Sequence, residues 1–133
     1  MNVKRIVYEQ QKTQGQNTMT FTKEQVKNMA NVNQVFQLKR IHESNGGFFF
    51  KEDTMRSFSS RIHSDVYGGC VFVTSEKNSS WRYEYPRLYT VRYMDSTGNT
   101  RTVGEFQGFE TRSKAHTFAR RIGIEIEQMR LAL

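Results

Sequence analysis

The sequence predicts an α+β domain: a three-stranded antiparallel sheet packed by a long C-terminal helix and a short helix, with further helices on the N-terminal side. Three observations carry this. Residues 88–94 and 100–106 are β-rich runs joined by Asp95-Ser96-Thr97-Gly98-Asn99, which holds the Gly and Asn that a hairpin turn demands. Cys70 to Ser75 is a third run with strand character, entered through the turn Tyr67-Gly68-Gly69. Behind a Thr111 N-cap, Ala115, Phe118, Ala119, Ile122, Ile126 and Met129 recur at helical spacing, one apolar stripe long enough to cover such a sheet.

The remaining elements follow in chain order. Residues 1–21 open with Val3, Ile6 and Val7 but then run polar and Gln-rich without periodicity, so they read as a flexible N-terminal segment. A single α+β domain is expected over residues 22–133. Thr22-Lys23-Glu24-Gln25 has the form of a capping box, with Val26, Met29 and Ala30 continuing at helical spacing. A second helical run, Val32 to Arg40, stops at Asn45-Gly46-Gly47. After Phe48-Phe49-Phe50, Asp53 or Thr54 caps a short helix whose Met55, Phe58 and Ile62 are expected to face inward. The helices are expected on one face of the sheet.

The chain carries 20 Lys and Arg against 13 Asp and Glu, a net charge of +7, which suits an acidic partner. The excess lies at the two ends, because residues 48–79 hold four basic and four acidic groups. One cysteine excludes an internal disulfide framework and points to a reducing cytoplasm. Neither a signal peptide nor an apolar run of spanning length is present, so a soluble protein without a membrane partner is expected.

Candidate sites come from three constellations. In the hairpin, Tyr89, Val91 and Tyr93 share one face while Leu88, Thr90, Arg92 and Met94 share the other. The second face either offers its side chains to a nucleic acid or is covered by the N-terminal helices as another core layer. The last helix begins with Arg112, Lys114, Arg120 and Arg121 and carries Glu125 and Glu127 further on, the reverse of what the helix dipole favours. An anionic partner would account for that order. Trp81, Arg82, Tyr83 and Tyr85 form the third group, residue types that anchor protein interfaces.

Catalytic chemistry finds little support. His42, His63 and His116 are isolated in sequence, with no metal-ligand spacing, and Cys70 lies in an expected buried strand, so no metal, cofactor or nucleophile is expected. Glu105 and His116 are the least implausible acid-base pair, and the chain is read as not an enzyme.

Two resemblances extend these readings. Tyr89-x-Val91-x-Tyr93-x-Asp95-x-x-Gly98-x-x-Arg101, with Gly108-Phe109-x-Thr111-Arg112-Ser113-Lys114-Ala115, resembles the arm-binding module of phage integrases, which implies a sheet inserted in the DNA major groove. The helix, three strands and helix of residues 53–131 are also similar in order to a double-stranded RNA-binding domain. Asn45 to Phe50, Asp53 to Arg61, Val66 to Gly69, Phe72 to Glu76, Pro86 to Arg92 and Val103 to Gly108 resemble a family of small uncharacterised phage and prophage accessory proteins, over about residues 40–120. That resemblance implies a protein acting in the cytoplasm of a bacterial host. The expected function is non-catalytic binding of nucleic acid or a host nucleoprotein, such as a CRISPR effector, through Arg92, Arg101, Arg112, Lys114, Arg120 and Arg121. The alternative is a protein-binding inhibitor of a bacterial defence system, of anti-CRISPR type, using Trp81, Arg82, Tyr83 and Tyr85. No small-molecule substrate is expected in either case.

Overall fold

The computed structural model describes residues 20–77 and 86–133. The proposed flexible segment, up to residue 19, and the Trp81 to Tyr85 group lie outside the described residues.

Among the described residues, three helices, four strands and a final helix follow one another: α1 (Lys23–Lys27), α2 (Val35–Ser44), α3 (Glu52–Ser57), β1 (Arg61–Ile62), β2 (Val71–Lys77), β3 (Arg87–Met94), β4 (Thr100–Thr102) and α4 (Arg112–Leu131). The fold is α+β with an antiparallel sheet and a C-terminal helix. Its sheet has four strands in the order β1-β2-β3-β4, not three. The added strand is a two-residue edge in which Arg61 pairs with Ser75 and Ile62 with Thr74. Ile62 therefore belongs to the sheet rather than to the short helix, which stops at Ser57 as the chain turns through Ser59 at φ 49°. Phe58, expected to face inward, is 64 % exposed.

The capping box of α1 forms as its sequence requires, with Gln25 N–H donating to Thr22 Oγ1 at 3.1 Å and Thr22 N–H to Gln25 Oε1 at 2.8 Å. Helix then gives way to sheet-like pairing. Met29 bridges to Asp95, and Ala30 N–H donates to the Met94 carbonyl at 3.0 Å, so these two residues do not continue the helix. Thr20 and Phe21, assigned from sequence to the flexible segment, pack on the domain. The Thr20 N–H and hydroxyl donate to the Glu125 carboxylate at 2.7 and 2.8 Å, and Phe21 is buried with its ring 5.0 Å from that of Tyr93.

The register of β2 and β3 decides which residues share a face. Val71, Val73 and Ser75 lie opposite Tyr93, Val91 and Tyr89, while Phe72, Thr74 and Glu76 lie opposite Arg92, Thr90 and Leu88. α4 covers the first set. Its N-cap is formed by Thr111 Oγ1, which accepts from Lys114 N–H at 3.2 Å, and its whole expected stripe is buried. The second set is covered too, contrary to the expectation of helices on one face. Phe72 and Met94 are fully buried, Phe50 packs its ring 5.9 Å from Phe72, and His42 Nδ1 of α2 lies 2.7 Å from the Gly98 carbonyl. A strand covered on both sides is buried along its length, which accounts for the unbroken burial of residues 71–76, polar Thr74, Ser75 and Glu76 included.

The hairpin turn forms around Asp95, whose Oδ1 accepts from Thr97 N–H and Asn99 N–H, both at 3.0 Å, with Gly98 at φ 98°. Beyond Thr102 the expected strand breaks off. Gly104 at φ 82° and Gln107 at φ 55° turn the chain away, so Phe106 sits on a loop, 53 % exposed.

Candidate functional site

The two faces of the sheet each hold a polar constellation that only the fold assembles. On the α4 face, β1 delivers His63 to His116 of the helix. His63 Nδ1 and His116 Nε2 are 2.9 Å apart, His116 Nδ1 lies 2.8 Å from the Tyr67 hydroxyl, and His63 Nε2 is 3.4 Å from Ser75 Oγ. Two neutral rings satisfy that chain in either direction. One protonated ring is also accommodated, because the Tyr67 and Ser75 hydroxyls at the two ends can accept; only two protonated rings set two donors against each other, at the His63–His116 link.

Three arginines flank this chain, and a fourth, Arg61, stands beside one of them. Arg112 and Arg120 flank His116 at four-residue spacing on one helix face, and the Arg120 guanidinium lies 5.6 Å from the centre of the Tyr67 ring. Arg87 donates to the Ser59 carbonyl, the Ser75 carbonyl and Ser75 Oγ at 2.9, 2.9 and 3.0 Å, beside Arg61 on the edge strand. Burial first, then Arg112, His116 and Arg87, lower the His63 pKa to about 4, against the opposing pull of Asp65. Burial and Arg112 lower that of His116 as well. Both rings are therefore neutral near pH 7, and Asp65, 3.9 Å from His116 Nδ1, is the acidic group acting on them.

The sequence-predicted basic residues do not form one surface. Arg112 and Arg120 stand in this patch, whereas Arg121 turns towards Phe118, its guanidinium 5.7 Å from that ring, and Arg101 sits on β4 across the sheet. Lys114 is exposed at the helix start. Arg92 is mostly buried on the opposite face. Arg61, Arg87 and His63 were missed, because nothing local in the sequence brings them to His116. A clue existed in the two-residue apolar-polar alternation of Arg61-Ile62-His63, which is strand-like but very short. The proposed Glu105 and His116 pair does not form, since both ring nitrogens of His116 are engaged by His63 and Tyr67. Burial pushes the Cys70 thiol up to about 12, away from nucleophilic use.

On the second face, Arg92 and Glu76 lie in a cavity of about 570 Å³ whose walls include Phe48, Phe49, Phe58, Phe106 and His42. Arg92 Nε–H donates to Thr74 Oγ1 at 2.8 Å, and its guanidinium lies 5.0 Å from the Phe49 ring centre and 5.6 Å from that of Phe106. Glu76 Oε1 accepts from the Thr90 hydroxyl at 3.3 Å. Its other oxygen, Oε2, is buried without a hydrogen-bond partner, 3.9 Å from Arg92 Nη2.

Among the described residues no group of three or more His, Cys, Asp or Glu is arranged to hold a metal ion, and no helix is long and apolar enough to cross a membrane. No curated protein and no solved structure matches the chain. A family model does match residues 34–120, from the start of α2 into α4, a span that contains the cavity, His63, His116 and the four arginines. Because that match covers well over half of the chain, the protein belongs to the DUF7447 family, a family of unknown function.

Proposed function

We propose that this protein is a non-catalytic binder of nucleic acid or a nucleoprotein, and that its phosphate-contacting surface is the patch formed by Arg61, Arg87, Arg112 and Arg120. The observation that carries the reading is the convergence of three guanidiniums, Arg87, Arg112 and Arg120, from β3 and α4 on a pair of neutral histidines, with Arg61 of β1 beside Arg87. Like charges gathered from three separate elements raise the energy of the free protein, and a phosphate backbone relieves that cost by replacing condensed counterions. Arg112 lies in the first turn of α4, where the helix dipole opposes a cation, so an anion at this end also restores the favourable order.

The test is the salt dependence of binding to fluorescent DNA and RNA of arbitrary sequence. Arg112→Ala and Arg120→Ala are each expected to weaken binding and flatten the slope of log K against log salt by about one unit. Arg101→Ala, at the far edge of the sheet, should leave the slope in place. Equal effects from all three, or affinity independent of salt, would overturn the assignment.

A further inference from the structure

The Glu76 and Arg92 cavity is a second site, built from different residues and independent of the phosphate patch. Glu76 is 6 % exposed, yet its Oε2 has no hydrogen-bond partner. A buried acceptor left unmet costs about 1 to 3 kcal/mol, and more when it is charged. Arg92 Nη2, at 3.9 Å, is beyond hydrogen-bonding distance of it, so a donor and an acceptor stand side by side at the cavity wall without satisfying each other.

The rest of the lining is aromatic. Phe48, Phe58 and Phe106 are 66, 64 and 53 % exposed, three large apolar rings left in solvent around one opening. Charge narrows what fits among them. A hydrocarbon leaves Glu76 unmet, an anion is repelled by its carboxylate, and an ammonium group meets Glu76 but faces Arg92 and Lys77. A flat heteroaromatic ring with an N–H beside a carbonyl suits these groups: a small shift of the Glu76 side chain brings the buried Oε2 to the N–H, the carbonyl accepts from Arg92, and the ring faces lie against phenylalanine.

We infer that this cavity binds a nucleobase of the lactam type, as in uracil or guanine, reading its N–H and carbonyl edge with Glu76 and Arg92. The base can come from a free nucleoside or from an unpaired position of a nucleic acid strand.

Uncharged nucleosides test the site without engaging the phosphate patch. Titration of the protein with uridine, followed by saturation-transfer NMR and by the amide shifts of Arg92 and Phe106, should give saturable binding in the millimolar range or tighter. 3-Methyluridine, which lacks the ring N–H, should bind about tenfold more weakly. Glu76→Gln should narrow that difference. Phe58→Ser and Phe106→Ser, both at exposed positions and so expected to melt like the parent, should weaken uridine severalfold, while Arg112→Ala and Arg120→Ala leave it unchanged. Displacement of uridine by single-stranded but not duplex RNA assigns the base to a strand, and uridine binding untouched by either assigns it to a free nucleoside; both outcomes uphold the site. No saturable nucleoside binding by the folded parent overturns it, as does equal affinity for uridine and 3-methyluridine, or an unchanged affinity in the two phenylalanine variants. A protein that passes the salt test but fails here keeps the phosphate patch and loses the base pocket.

Discussion

Ser75 and Glu76 are neighbours in β2, and the pleat sends them to opposite faces of the sheet with opposite fates. Ser75 joins a chain that closes: Arg87, His63, His116 and Tyr67 each find a partner in it. Glu76 enters a cavity where one of its oxygens finds none. A satisfied polar network in a buried setting holds one arrangement and resists change, whereas a half-satisfied pair keeps unmet hydrogen-bonding capacity. The α4 face should thus reveal itself in stability and pH dependence, and the α2 face in what binds there.

The largest expected effect tests whether the α2 face is core at all. Phe72 is fully buried against Phe50, so Phe72→Ala should lower unfolding free energy by about 3 to 5 kcal/mol through the cavity it leaves. Urea denaturation measures it. A loss below about 1 kcal/mol would show that this face is loosely covered and break the comparison.

A smaller loss is expected on the opposite face at Gly123. Glycine here admits the Tyr67 to Gly69 turn directly onto the helix: a Cβ would stand 2.7 Å from Tyr67 Cβ and 2.8 Å from the Gly68 nitrogen. Alanine is the better helix former by about 1 kcal/mol, yet Gly123→Ala should still destabilise, by about 1 to 3 kcal/mol, because backbone has to move. Since Tyr67 is bonded to His116, the same variant should disturb the histidine chain while leaving uridine binding intact. A raised melting temperature would show that the turn does not rest on the helix.

The pH dependence is the finest of the three tests. His63 and His116 have folded-state pKa values below the unfolded value, so between pH 6.5 and about 4 the unfolded chain binds more protons than the folded one. Their contribution to stability is complete above pH 6.5 and declines as pH falls towards 4. Denaturation midpoints measured from pH 7.5 to 4.5 should fall, and His63→Gln should flatten that fall. Nucleic acid bound at the patch should raise both pKa values, so affinity should increase and protons be taken up as pH drops through this range. Pairing of the two rings with an acidic group strong enough to hold them charged would reverse the sign.

Much of the frame was legible in sequence where the signal is local. The stripe from Ala115 to Met129, the Thr111 and Thr22 caps and the Asp95 to Asn99 turn depend on residues within a few positions of one another, and all of them form. Legibility failed where a short segment answers to distant partners. Met29 and Ala30 have helical spacing but are drawn into pairing with Asp95 and Met94, and Ile62 has the spacing of the short helix but pairs with Thr74. Phe58 and Phe106 were expected in regular elements and instead stand at the rim of a cavity.

By itself, then, the sequence determined an α+β chain with an excess of positive charge, a long final helix and a tight hairpin, because periodicity, capping and turn chemistry are written within single elements. Tertiary structure decided which charges act together. His63 and His116 are far apart in the chain and 2.9 Å apart in space, while Arg92, grouped with the helix arginines by its charge, is taken by the strand pleat to the opposite face and buried beside Glu76. Charge is a property of a residue, but a binding surface is a property of register and packing, and these emerge only when the strands and helices meet.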